Sequence, residues 1–144
     1  MHRRAPPNPG GIGSLKWITL AELILIHEQV INATGGVHGV TNPGALESAL
    51  IRPFTSFEGQ TFFPTLWSKI AALIHSLIAF HPFADGNKRT ALVAADVCLR
   101  LNGYRLHPSK TIEPFFWAIA RGEKSILEIT TWIEKHAEPW RNES

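Results

Sequence analysis

The chain has little of what would take it out of the ordinary globular class. It has one cysteine, Cys98, in 144 residues, which excludes an internal disulfide. Set among Ala94, Ala95, Val97 and Leu99, that cysteine reads as a small buried hydrophobe in a reducing compartment. Net charge is only +2, from 14 basic and 12 acidic residues, so the whole-molecule field gives no argument for direct nucleic-acid binding. No apolar run approaches the ~20 residues of a membrane-crossing helix; the best, residues 70–80, is short and contains His75 and Ser76. Residues 1–13 are basic and rich in proline and glycine without an apolar run, unlike a signal peptide. The expectation is a cytoplasmic protein without membrane contact.

What is present suits one domain with a continuous core, since hydrophobic residues make up 44% of the chain and a chain of about 150 residues buries roughly two thirds of its unfolded surface. Residues 1–16, with Arg3, Arg4, three prolines and three glycines, cannot build a core and are expected to form a mobile tail. The ordered unit is expected over residues 17–144. Thr19 and Glu22 have the spacing of a capping box ahead of Leu23, Ile26, Val30 and Ile31, which predicts a first helix. Residues 35–41 hold three glycines and read as a loop, after which Asn42 and Pro43 start a shorter helix. In residues 52–64 prolines bracket Phe54, Phe57, Phe62 and Phe63, with Glu58 and Gly59 as a turn; this is either a small hairpin or an irregular flap, and periodicity does not decide.

Thr65 is placed to cap a helix whose apolar residues, from Leu66 to Ile78, cover more than one face, the mark of a largely buried central helix. It should stop near Phe80, ahead of Pro82. A second core helix is predicted over 87–102, ended by Gly103, then one over 111–121 ended by Gly122, and one from the Ser125/Glu128 capping box to about His136. The fold class is all-α, a helical bundle around a central helix pair.

Between those two core helices stands His81-Pro82-Phe83-Ala84-Asp85-Gly86-Asn87-Lys88-Arg89-Thr90-Ala91. A helix starting at Asn87 presents unpaired backbone N–H groups and the positive end of its dipole, and Gly86 lets a ligand approach the backbone. Lys88 adds a point charge and Arg89 a fork suited to phosphate oxygens. Asp85 would be misplaced beside an anion unless a cation joined them, and one carboxylate plus substrate phosphates is a common way to hold Mg²⁺. His81 is a residue type that titrates near neutrality and can take a proton from an attacking hydroxyl. The bland alternative makes Asp85 a helix cap, Lys88 and Arg89 solvated charges, and His81 a turn residue bonded to a carbonyl. On physics alone the two readings have about equal weight.

The stretch resembles the Fic/Doc signature, H-x-F-x-D/E-G/A-N-K/G-R, at every fixed position. The similarity extends over most of the chain, through the opening helix at residues 18–27, the Gly35-Gly36 pair, the Asn42-Pro43-Gly44 turn and the helix end at residues 99–103. The resemblance implies that His81 is the general base toward a protein hydroxyl and that Asp85 is the Mg²⁺ ligand. It implies that Gly86, Asn87 and Lys88 build the anion hole, that Arg89 steadies a nucleotide phosphate, and that Phe83 anchors the loop in the core. AMP-transferring members usually have glycine where this chain has Lys88 and a second arginine where it has Leu92, and both departures point to the Doc branch. In that branch the resemblance implies a reversed ATP that offers its γ-phosphate, with translation elongation factor Tu the known family target. It further implies a flap, here Phe57, Glu58, Gly59 and Phe62, that aligns the target segment by backbone pairing.

Family members are often restrained by an S/T-x-x-x-E-G/N helix. Thr130 and Glu134 have that spacing but Lys135 follows, so restraint is expected from a separate antitoxin chain. The alternatives are AMP transfer on the same fold and, in another class, a catalytically silent module that only holds phosphate; the presence of His81 and Asp85 counts against the latter. His75 reads as a hydrogen-bonded core or interface histidine, His38 as a surface residue, and Asp96 with Arg100 as an intrahelical ion pair. Trp117 and Trp132 fall at helical core spacing and need no functional reading.

Overall fold

The computed structural model describes residues 15–141. The expected tail therefore lies, up to residue 14, outside the described residues. At its other end the chain is already fastened, because the Lys16 backbone N–H donates to Asn102 Oδ1 (2.9 Å) and Asn102 Nδ2 donates back to the Lys16 carbonyl (2.8 Å).

Six helices form the body among the described residues: α1 Leu20–Thr34, α2 Pro43–Ile51, α3 Leu66–Ala79, α4 Asn87–Leu101, α5 Ile112–Ala120 and α6 Ile126–His136. Their starts follow from short-range chemistry. Thr19, Thr65 and Ser125 each close a capping box with the residue three positions on, and the Asn42 side chain accepts from the Ala45 N–H with Pro43 at the first helical position. Each such cap satisfies an orphan N–H and contributes about 1 kcal/mol.

Helix α3 is the axis, buried at every position from Leu66 to Ile74 and packed by α2, α4, α5 and α6. Its buried leucines and isoleucines interleave with Ala91, Ala94 and Ala95 of α4 and with Ile129 and Ile133 of α6. The small alanines let α3 and α4 approach closely, so the connection between these two helices, which carries the motif, is held at both ends by core packing. Truncating a core leucine of α3 to alanine should cost about 2–5 kcal/mol.

Residues 52–64 resolve as a short 3₁₀ turn, Arg52–Phe54, and a hairpin of β1 Ser56–Phe57 and β2 Gln60–Thr61. Glu58 (φ 51°) and Gly59 (φ 80°) make its turn, the double left-handed conformation that matches the twist of two-residue hairpins. A second antiparallel pair, β3 Tyr104–Leu106 with β4 Ala137–Pro139, was not expected from the sequence. It ties the end of α6 to the end of α4, and Asp96 serves it: Oδ1 accepts the Leu106 N–H while Oδ2 pairs with Arg100 (2.8 Å). Cys98 is buried, and burial pushes its thiol pKa up to about 12. Among the described residues no helix is long and apolar enough to cross a membrane.

Candidate active site

The loop from α3 to α4 is shaped by a buried brace on one side and by hydrogen bonds from an exposed loop on the other. Phe83, 2% exposed, exchanges two hydrogen bonds with the side chain of Asn87: its N–H donates to Oδ1 (3.0 Å) and its carbonyl accepts from Nδ2 (2.9 Å). The Phe83 ring lies flat on the imidazole of buried His27 of α1, centroids 3.8 Å apart. His27 Nε2–H donates to the Asp85 carbonyl (2.9 Å), which requires the proton on that nitrogen. From the other side the glycine-bearing loop after α1 lies against the motif. The Thr41 and Asn42 amides donate to the Pro82 carbonyl (2.9 and 3.1 Å), and the Ala84 amide donates to the Gly39 carbonyl (3.0 Å).

Gly86 then turns the chain into α4 with φ 74°, and no side chain caps the helix it begins. The left-handed backbone there favours glycine, and an added Cβ would also crowd the tip of the Ile31 side chain, 3.0 Å away. The first turn of α4 therefore keeps its N–H groups and the positive dipole end for a ligand. This contradicts the reading of Asp85 as a helix cap. Its Oδ2 instead accepts the Val37 N–H (2.9 Å) across the loop, while the residue itself stays exposed.

His81 is exposed and has φ 47°, a conformation that costs a non-glycine residue of order 1–3 kcal/mol. Its side chain makes no hydrogen bond to the described residues, so the bland expectation of a carbonyl partner is not met. The two cations lean toward α5. Lys88 Nζ sits 3.5 Å from the centroid of the Trp117 ring, and Arg89 Nη2 is 3.7 Å from Glu113 Oε2. That ion pair is largely exposed and worth less than about 1 kcal/mol, which a polyphosphate can displace. Lys88, Arg89, Leu92, Glu113, Phe116 and Trp117 line a pocket of about 100 Å³, with Leu92 as apolar wall.

Residues 17–99 match the family model described as the Fic/DOC family. The chain belongs to that family. It is 45% identical over 74 residues to "Toxin Doc" of Mycolicibacterium smegmatis, a match covering 51% of this chain and 57% of that protein, so little more than half of the relative's length is spanned. It is 28% identical over 123 residues to "Protein kinase doc" of Escherichia phage P1, covering 84% of this chain and 95% of that protein.

Among the Fic/DOC motif residues, those from His81 to Arg89 stand on one loop and one helix start. Phe57, Glu58, Gly59 and Phe62 lie apart from them on the hairpin and its end. Two links connect hairpin and motif. Phe80, next to His81, meets His75 edge-on, and Arg52 Nη1 donates to His75 Nδ1 (3.2 Å) and to Ser76 Oγ (3.0 Å) while its guanidinium lies over Phe63. His75 is thus hydrogen-bonded, as the sequence suggested, and burial, with the Arg52 charge second, lowers its pKa. Buried Lys69 donates to the Phe63 carbonyl and sits over Phe54, and burial lowers its pKa too.

Residues passed over in the sequence are His27, Glu113 and Trp117. His27 occupies a core position of α1 with nothing local to mark it, and Glu113 reads as a surface charge. Trp117 departs from the core expectation outright: it is 51% exposed, whereas Trp132 stacks between Phe115 and His136. Among the described residues no group of three His, Cys, Asp or Glu side chains could hold a metal by itself. Asp85 offers one carboxylate with Oδ1 uncommitted, a donor set that fits Mg²⁺ only together with phosphate oxygens and water.

Proposed function

We propose that this Fic/DOC protein is an ATP- and Mg²⁺-dependent phosphotransferase that moves the γ-phosphate to a hydroxyl of a protein substrate. The observation that carries the reading is the start of α4, capped by no side chain, with Lys88 and Arg89 in its first turn and His81 and Asp85 on the loop that leads into it. The first amides of α4, with Lys88 and Arg89, seat the phosphates. Asp85 would hold Mg²⁺, which would offset phosphate charge there. His81 takes the proton of the incoming hydroxyl as its oxygen bonds to the γ-phosphorus; the bond from that phosphorus to the β,γ-bridging oxygen breaks and ADP leaves. The exposed hairpin receives the segment that bears the hydroxyl.

Lys88 and Leu92, together with the name of the phage relative that the chain matches over 95% of its length, support phosphate rather than AMP as the transferred group. The name of the mycobacterial relative supports a toxin, from which we infer a separate antitoxin as partner; elongation factor Tu is the first target to try. The test is incubation of the protein with that factor and ATP labelled separately at the α- and γ-phosphates. Label from the γ position, a gain of one phosphate in mass and release of ADP are expected. Label from the α position with pyrophosphate release would establish AMP transfer instead.

A further inference from the structure

Trp117 stands where a core residue was expected, yet half of its surface is open, and the ammonium of Lys88 lies 3.5 Å from its ring centroid. A lysine in the first turn of a helix could extend over the helix start, toward the free amides. Here it is drawn across to α5, into the wall of the pocket that Arg89 enters from the same helix. At about 100 Å³ the pocket falls below the roughly 300–1,000 Å³ of a small-molecule site, so it takes a group such as one phosphate and not a whole nucleotide. An ammonium has three N–H donors, and a ring on one side leaves the others free for phosphate oxygens. The protein therefore offers two anion points one step apart, the amides at the start of α4 and the pocket between α4 and α5.

We propose that Trp117 is a positioning residue for the nucleotide: by holding Lys88 over the α4–α5 pocket it draws one phosphate there while another lies on the α4 amides. This two-point seat selects the phosphate presented to His81. The proposal rests on the reading that the motif binds a polyphosphate. Glu113, which meets Arg89 at the same pocket, is displaced when that phosphate enters.

The experiment is calorimetric binding of Mg²⁺ with inorganic tripolyphosphate to the full chain, which needs no transfer and no target protein. Trp117→Leu should weaken binding about three- to tenfold, the range expected for a cation held over a ring, and Trp117→Phe should restore most of it. Lys88→Met should weaken binding as well, and adding Trp117→Leu to it should cause no further loss, because the tryptophan acts only through the lysine. In a labelled-ATP assay Trp117→Leu should also lower the ratio of γ- to α-phosphate transfer, while Trp117→Phe keeps it. Unchanged binding in Trp117→Leu, or an undiminished loss in the Lys88→Met background, overturns the proposal. Unchanged binding in Lys88→Met overturns it too, whereas absence of tripolyphosphate binding by the parent protein would sink the underlying polyphosphate reading. If the leucine variant fails to fold, Trp117→Gln takes its place with the same expectations.

Discussion

The motif loop and the hairpin stand in opposite physical conditions. Around the motif, polar backbone groups are matched by buried side chains: Asn87 completes both bonds of Phe83, and His27 covers its ring and holds the Asp85 carbonyl. The hairpin has two residues per strand, and its phenylalanines are open to water, Phe57 at 64% and Phe62 at 60% exposed. Its fastening is at the base, through Lys69 and Arg52. A site for a small, highly charged group gains from donors fixed in advance, because reorganisation would cost rate. A surface for a protein segment gains from an unpaired edge and apolar side chains that can settle on the partner. The contrast teaches that burial here is concentrated where phosphate is expected and withheld where a protein is expected.

The comparison breaks first at Asn87. Asn87→Ala leaves a buried N–H and a buried carbonyl of Phe83 without partners, and should lower stability by about 2–4 kcal/mol, read from denaturant unfolding. Tripolyphosphate binding should fall with it, since the α4 amides lose their fixed approach. A hairpin variant should behave in the opposite way. Replacing Phe57 and Phe62 together by serine should leave stability within about 0.5 kcal/mol, yet raise the KM for the protein substrate about tenfold, as loss of central apolar contacts does. The KM for ATP should not move, and a matching rise in both would show that the hairpin serves the nucleotide.

The smallest expected effect sharpens the link between the two regions. Burial and Arg52 lower the pKa of His75, so the folded protein binds its proton less readily than the unfolded chain. The unfolded chain then takes up more protons as pH falls through the ordinary histidine value of about 6.5, and stability declines below it. Unfolding measured between about pH 7.5 and 5.5 should show a shallower decline in His75→Gln than in the parent protein. Equal slopes would remove His75 as a contributor.

Much of the fold was legible because its signals are local. The boxes of Thr19 with Glu22 and Ser125 with Glu128, the Asn42-Pro43 start and the Glu58-Gly59 turn each lie within four residues, and each forms where expected. The β3–β4 pair was missed because three-residue strands show no alternation and their partners are more than thirty positions apart. The candidate site was legible only as a string of residue types on one loop. What the string could not show is how the loop is held, by His27 from α1 and by the amides of residues 37, 41 and 42, since such contacts leave no period in the sequence. Trp117 was misread for a related reason: helical spacing marks a face but does not say that a lysine of another helix will meet it.

His81 tests the account most directly, because it combines backbone strain with the proposed base. In His81→Gly the left-handed conformation becomes free of cost, so stability should stay level or rise by about 1 kcal/mol, and calorimetric affinity for Mg²⁺·ATP should stay within about twofold of the parent, while phosphate transfer falls by about 10²- to 10⁴-fold. Transfer at the parent rate in that folded, nucleotide-binding variant would contradict the account and remove His81 from the chemistry.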